Sequence, residues 1–245
     1  MFESTARLMD AAAEAFVQCA AEATRSSGRF TVALSGGSTP ASLYALLATD
    51  AYAARVDWSR VHVFLGDERC VPPDDPASNY RMAWERLLAH VPVPAHQVHR
   101  IRGEDDPAAA AAAYERELRA AFSTPDGPPR TDPGARFDLV LLGLGPDGHT
   151  ASLFPGTPAV RERERWVVAH RVPVAPSWRV TLTAIVINVA ADVLFLVAGD
   201  KASILRRVLE GPYEPDVLPS QTIAPRAGRL RWLVDAAAAA EIHRG

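Results

Sequence analysis

The run FDLVLLGLG at 137–145 leaves no polar side along its strand-like core. A strand with one wet face alternates polar and apolar residues, whereas continuous apolar character marks a strand buried on both faces of a parallel sheet. Such a sheet must be covered by helices, and the chain supplies them in alternation. Residues 5–26 have the spacing of an alanine-rich amphipathic helix, RFTVAL (29–34) is a short strand, and ASLYALL (41–47) returns to helical spacing. RVHVFLGDERCVP (60–72) reads as a second strand interrupted at Gly66. SNYRMAWERLLAH (78–90) reads as a helix with Ser78 at its N-cap. DPAAAAAAYERELRAAF (106–122) and KASILRRVLEG (201–211) are further helices, and RWVVAHRV, RVTLTAI, DVLFLVAG and RLRWLVD are further strands. This order predicts an α/β fold: a doubly wound, mostly parallel sheet with helices on both faces. The loop STPDGPPRTDPGAR (123–136) is too short to mark a domain boundary, so residues 1–245 are expected to form one domain.

Composition narrows the function classes. A formal net charge of −3 gives no general attraction to nucleic acid or anionic membrane, so neither is expected as a partner. Cys19 and Cys70 are the only cysteines and lack metal or disulfide spacing. No apolar run reaches the about 18–20 residues needed to span a bilayer. The N-terminal stretch carries acidic residues among its apolar positions, unlike a signal peptide. The expectation is a cytoplasmic protein, with a monomer favoured although nothing in the sequence fixes the oligomeric state.

In open α/β sheets ligands bind beyond the carboxyl ends of the strands. Four unusual loops sit at such ends. In SGGSTP, Gly36 and Gly37 allow close backbone approach, Ser38 or Thr39 can cap the next helix, and its first-turn N–H groups suit a phosphate. A serine nucleophile elbow is a rival reading of Ser38, weakened because Pro40 stands where that elbow needs glycine. In GDER, alternation sends Asp67 and Arg69 to one side and Glu68 to the other, and Arg69 offers a cationic fork to an anion. Lys201 opens a helix, where a lysine opposes the helix dipole unless an anion is near. Arg179 begins an otherwise uncharged strand.

The fourth loop, GLGPDGHTASLFPG (143–156), contains the spacing Gly143-x-Gly145-x-x-Gly148 of a dinucleotide fingerprint. That motif must open a long helix. Pro146, Pro155 and Pro158 leave no room for one, so the fingerprint is a decoy. His149 remains as a general base, with Asp147 or Asp67 as the carboxylate that orients it; spacing does not decide which. The other six histidines lie in strands, helix ends or polar loops and are expected to be structural, and no HxxxH or HExxH spacing suggests a catalytic metal.

Taken together, LSGGSTP (34–40), GDER (66–69) with Val71 and Pro72 following, SNYRMAWERLL (78–88), GLGPDGHTASLFPG (143–156), RVTLT (179–183) and VAGDKA (197–202) resemble the 6-phosphogluconolactonase family nearly end to end. The resemblance implies a fold related to sugar-phosphate isomerases and cofactor-free, metal-free hydrolysis of a sugar-phosphate lactone, 6-phosphoglucono-δ-lactone, without a covalent intermediate. It implies His149 as the base that activates water, with Asp147 assisting. It also implies that Gly36, Gly37, Ser38, Thr39, Arg69, Arg179 and Lys201 hold the phosphate and sugar. Trp178 stands where many members carry Lys or Pro before the arginine, a departure that puts one cationic contact in doubt and not the resemblance. Glucosamine-6-phosphate deaminases resemble the same loops but carry FNEP after the histidine, supplying an extra acid; here the stretch is SLFP, with Phe154 in place of the carboxylate. A non-catalytic sugar-phosphate sensor would need a DNA-binding extension that the sequence does not contain.

Overall fold

The computed structural model describes residues 1–122, 136–172 and 177–243. In chain order the elements are α1 (Thr5–Ser27), β1 (Phe30–Leu34), α2 (Ser38–Leu47), the single turn α3 (Asp50–Ala53), β2 (Val61–Leu65), β3 (Asp67–Arg69), α4 (Asn79–Ala83), β4 (Val98–His99), α5 (Pro107–Phe122) and β5 (Leu139–Leu142). There follow β6 (Val167–Arg171), β7 (Trp178–Leu182), the short α6 (Ala184–Ile187), β8 (Asp192–Val197), α7 (Ala202–Glu210) and β9 (Arg229–Val234). The predicted helix over 78–90 runs as α4 into a wider π-type turn at Trp84–Leu88, and Ser78 caps it by accepting from the Arg81 N–H. Of the loop expected at 123–136, only Arg136 lies within the described residues.

Six strands form one sheet in the order β4-β2-β1-β5-β8-β9, every neighbouring pair parallel. The chain builds outward from β1 to β4, then returns to β5 and builds the other way. The reversal between β1 and β5 is the switch point at which such sheets open a crevice. Every residue of β1, β5 and β8 is buried, as their unbroken apolar runs predict. Helix α1 packs on β1, β9 and α2.

The structure departs from expectation at Gly66. The predicted second strand is two strands in two sheets, because Gly66 turns the chain after Leu65 and β3 leaves the parallel sheet. Strands β3, β7 and β6 form a separate antiparallel sheet with registers Asp67↔Thr181, Arg69↔Arg179 and His170↔Arg179. Helix α5 packs against its strands β6 and β7.

Strands buried on both faces end with backbone groups that water cannot reach, and these need partners. Two tyrosines supply them. The Tyr44 hydroxyl accepts from the Ser35 N–H at 2.9 Å and donates to the Ser35 carbonyl at 2.8 Å, closing the end of β1. Tyr114 does the same for both backbone groups of Leu65 at the end of β2. Both rings are almost wholly buried. Removing one hydroxyl leaves a buried N–H and carbonyl without a partner, at a cost of about 1–3 kcal/mol. Tyr44→Phe is therefore expected to destabilise the fold by that amount and lower Tm by roughly 2–4 °C per kcal/mol, measured by denaturant and thermal unfolding. An unchanged unfolding midpoint would show that the clasp is not needed.

Candidate active site

The loops beyond β1, β2, β5 and β8 enclose a cavity of about 250 Å³. Its first wall is the turn into α2. Gly37, at φ 103°, occupies the cap position itself, and no side chain caps the helix. Ser38 and Thr39 are thus already helical, one step too late to cap it, which corrects the capping role expected for them. The first-turn N–H groups have no side-chain cap, and Ser38 and Thr39 line the cavity. At Gly36 a Cβ would fall 2.0 Å from Asn79 Oδ1, so only glycine fits there.

The second wall is β3. Asp67 and Arg69 face the cavity, as alternation predicts. Glu68 turns inward, 2% exposed, and its carboxylate accepts from the N–H groups of Arg69, Asn79 and Tyr80 and from the Ser78 hydroxyl. Burial pushes the Glu68 carboxyl up from its ordinary pKa, against the opposing pull of these backbone donors. Asp67 is held by Ser152 Oγ at 2.6 Å and by Asn79 Nδ2 at 3.2 Å. His170, buried in β6, donates from Nε2 to the Ser152 carbonyl and fixes that serine in turn.

Arg69, Arg179 and His170 form one cross-strand row. Like charges placed opposite each other are destabilising. Burial and the neighbouring Arg69 push the Arg179 guanidinium down from its ordinary pKa. Arg69 reaches the cavity and donates to the Ala77 carbonyl. Arg179 stands behind it, bonded to Ser177 Oγ and the Trp178 carbonyl, and is not part of the cavity wall.

The third wall is the glycine-rich loop. Its ends are tied by Gly145 N–H to the His149 carbonyl at 2.8 Å and by Thr150 Oγ1 to the Gly143 carbonyl at 2.9 Å. His149 Nδ1 lies 2.5 Å from Asp147 Oδ1. An ionised carboxylate only accepts, so Nδ1 carries the proton, and in the neutral form of the ring Nε2 is then the nitrogen with the lone pair. Nε2 has no hydrogen-bond partner among the described residues. Asp67 is bonded elsewhere, so the choice left open by spacing falls on Asp147. Burial raises the Asp147 pKa, but the bond and charge of His149 outweigh it and leave the carboxyl below its ordinary value.

Lys201 completes the cavity from β8. It sits at the N-cap of α7, after Gly199 at φ 77°. The buried Asp235 carboxylate accepts from the Gly199 and Ala238 N–H groups and from the Thr5 hydroxyl, pinning the turn that presents the lysine. Among the described residues no group of three or more His, Cys, Asp or Glu side chains is arranged to hold a metal ion. No helix there is long and apolar enough to cross a membrane.

The family model described as glucosamine-6-phosphate isomerases/6-phosphogluconolactonase matches residues 3–232. The chain belongs to this family. It is 43% identical over 222 residues to a 6-phosphogluconolactonase of a Nostoc strain, covering 90% of this chain and 88% of that one. It is 38% identical to the Haemophilus influenzae 6-phosphogluconolactonase, covering 84% and 85%. The solved 6-phosphogluconolactonase of Trypanosoma cruzi superposes with a TM-score of 0.86 at 31% identity, covering 100% of this chain and 96% of that one. Within this glucosamine-6-phosphate isomerase/6-phosphogluconolactonase fold, three site residues escape sequence reasoning: Glu68, Asn79 and Ser152. Asn79 had a signal, its place directly after the Ser78 cap, whereas the partners of Glu68 and Ser152 are long-range.

A Cβ at Gly145 would lie 2.0 Å from His149 Nδ1 and 2.1 Å from Cε1. Gly145→Ala is expected to displace the imidazole and abolish the low-field Nδ1–H proton resonance with the circular dichroism unchanged; persistence of the resonance would refute the packing. Because the Asp147 pKa is depressed, its hold on the imidazole is fully present above the ordinary carboxylate pKa. In the unmodified protein the resonance should survive acidification through that range and vanish only as pH falls through the lowered value.

Proposed function

We propose that this chain hydrolyses 6-phosphoglucono-δ-lactone to 6-phosphogluconate, with His149 Nε2 as the general base for the attacking water. The observation that carries this reading is the free Nε2 of an imidazole anchored at Nδ1 by Asp147, beside a cavity that also holds Arg69, Lys201 and the uncapped start of α2. Water oxygen bonds to the lactone carbonyl carbon while Nε2 takes its proton, giving a tetrahedral oxyanion. Collapse breaks the bond to the ring oxygen, which receives the proton from His149. A lactone is an activated ester, so no covalent intermediate is required. General-base help is worth about 10²–10⁴-fold. Ser38 makes no hydrogen bond to His149 among the described residues, which speaks against a serine nucleophile.

Arg69, Lys201 and the N–H groups of Ser38 and Thr39 anchor the phosphate, with Gly36 and Gly37 allowing its close approach. Arg179 supports Arg69 from behind by raising the local positive potential. Asp67, an acceptor held by Ser152 and Asn79, is suited to sugar hydroxyls. Binding the remote phosphate orients the reacting carbon. In this reading one domain over residues 1–245 carries the reaction in the cytoplasm, using neither metal nor cofactor. A deaminase would need an acid where Phe154 stacks on His149.

The test follows acid release from freshly generated 6-phosphogluconolactone against the spontaneous rate, with ammonia release from glucosamine 6-phosphate in parallel. Acceleration of the first alone is expected; no acceleration sinks the reading. His149→Ala should lower kcat by at least about 10²-fold with little change in KM. Arg69→Ala should chiefly raise KM, and a near-normal KM would remove its phosphate role.

A further inference from the structure

The imidazole of His149 is held by more than its hydrogen bond. The covalent link at Cγ and the hydrogen bond at Nδ1 restrain one edge of the ring, yet leave its plane able to tilt about that edge and carry Nε2 with it. Two contacts oppose the tilt. The Phe154 ring stacks on the imidazole with centroids 4.0 Å apart and planes 21° apart. Gly145 lies so close that a Cβ there would be within 2.7 Å of Nδ1, Cε1 and Cγ together. A stacked phenyl ring leaves no space for a backbone on the same face, so the two contacts take opposite faces.

The chain is bent to achieve this. Phe154 returns over a residue only five positions earlier, through a turn containing Ala151 at φ 47°, the only non-glycine with positive φ among the described residues. A non-glycine residue there costs of order 1–3 kcal/mol and persists where its surroundings over-determine it. Those surroundings are present. Ser152 N–H donates to Thr181 Oγ1, Ser152 Oγ to Asp67 and His170 Nε2 to the Ser152 carbonyl. The Phe154 carbonyl accepts from the Thr157 hydroxyl and, at 3.2 Å, from its N–H. Phe154 itself is 8% exposed and is not part of the cavity wall, so a contact with substrate does not account for it.

We infer that Phe154 is a positioning residue for the lactone hydrolysis: clamped against Gly145 across the imidazole, it fixes the ring plane and so the direction of the Nε2 lone pair. This rests on the general-base reading of His149. Misplacing a catalytic atom by about 1 Å can cost 10²-fold, which sets the scale.

The experiment compares the unmodified chain with Phe154→Leu, which keeps an apolar side chain but no flat face, and Phe154→Tyr, which restores the face. Each is assayed for kcat and KM on the lactone, for binding of 6-phosphogluconate by calorimetry, and for thermal unfolding. Phe154→Leu should lose roughly 10- to 100-fold in kcat with KM and product affinity nearly unchanged. Phe154→Tyr should recover most of the loss. Three results overturn the inference: an unchanged kcat in Phe154→Leu, a loss accompanied by failed product binding, or no recovery in Phe154→Tyr. An unmodified chain that does not accelerate hydrolysis overturns the general-base reading itself, a different outcome from an active chain indifferent to residue 154.

Discussion

The dryness of three central strands decides where the cavity's polar side chains can stand. Because β1, β5 and β8 are buried along their whole length, no titratable side chain can be carried midway on them without a large desolvation cost. Asp192, which opens β8 at its first residue, is the exception that defines the rule: it is 1% exposed and is met by both Arg229 and Arg231. The polar cavity lies at the carboxyl ends, where loops from separate strands meet. Those ends must themselves be closed to water, and the hydroxyls of Tyr44 and Tyr114 do so from neighbouring helices.

Around that frame the small antiparallel sheet works as a support for side chains rather than as a core. Its facing pair Arg69 and Arg179 is electrostatically unfavourable by itself, and burial with this neighbour holds the Arg179 guanidinium below its ordinary pKa. Asn79 and Ser152 hold the Asp67 carboxylate from behind, Glu68 ties the backbone of Arg69 to the start of α4, and the Ala77 carbonyl holds the Arg69 guanidinium. Preorganised dipoles and charges need no rearrangement when the transition state forms.

The parallel sheet was legible because continuous apolar runs have one interpretation when helices alternate with them. The alternation of Asp67, Glu68 and Arg69 was equally readable, since a period of two needs no knowledge of the partner strand. The second sheet was not, because a local pattern says that a segment is extended and not which strand it joins. Arg179, which the resemblance implies as a phosphate and sugar contact, pairs with Arg69 across the small sheet and is not part of the cavity wall. The cap at α2 was misjudged by one residue, since the positive φ of Gly37 decides where the helix begins. The pairing of Asp147 over Asp67 with His149 depends on a turn whose shape spacing does not specify. Phe154 was read for the carboxylate it lacks, while its stacking on His149 is a tertiary fact.

Asp235 gathers two distant parts of the chain, Thr5 at the start of α1 and Gly199 after β8, and also accepts from its near neighbour Ala238. Phe2 also bridges to Asp235 alongside β9. The turn that presents Lys201 therefore shares its anchor with both termini. Loss of the Asp235 carboxylate would loosen the start of α1 and the turn before α7 together, in a molecule whose sheet is still intact.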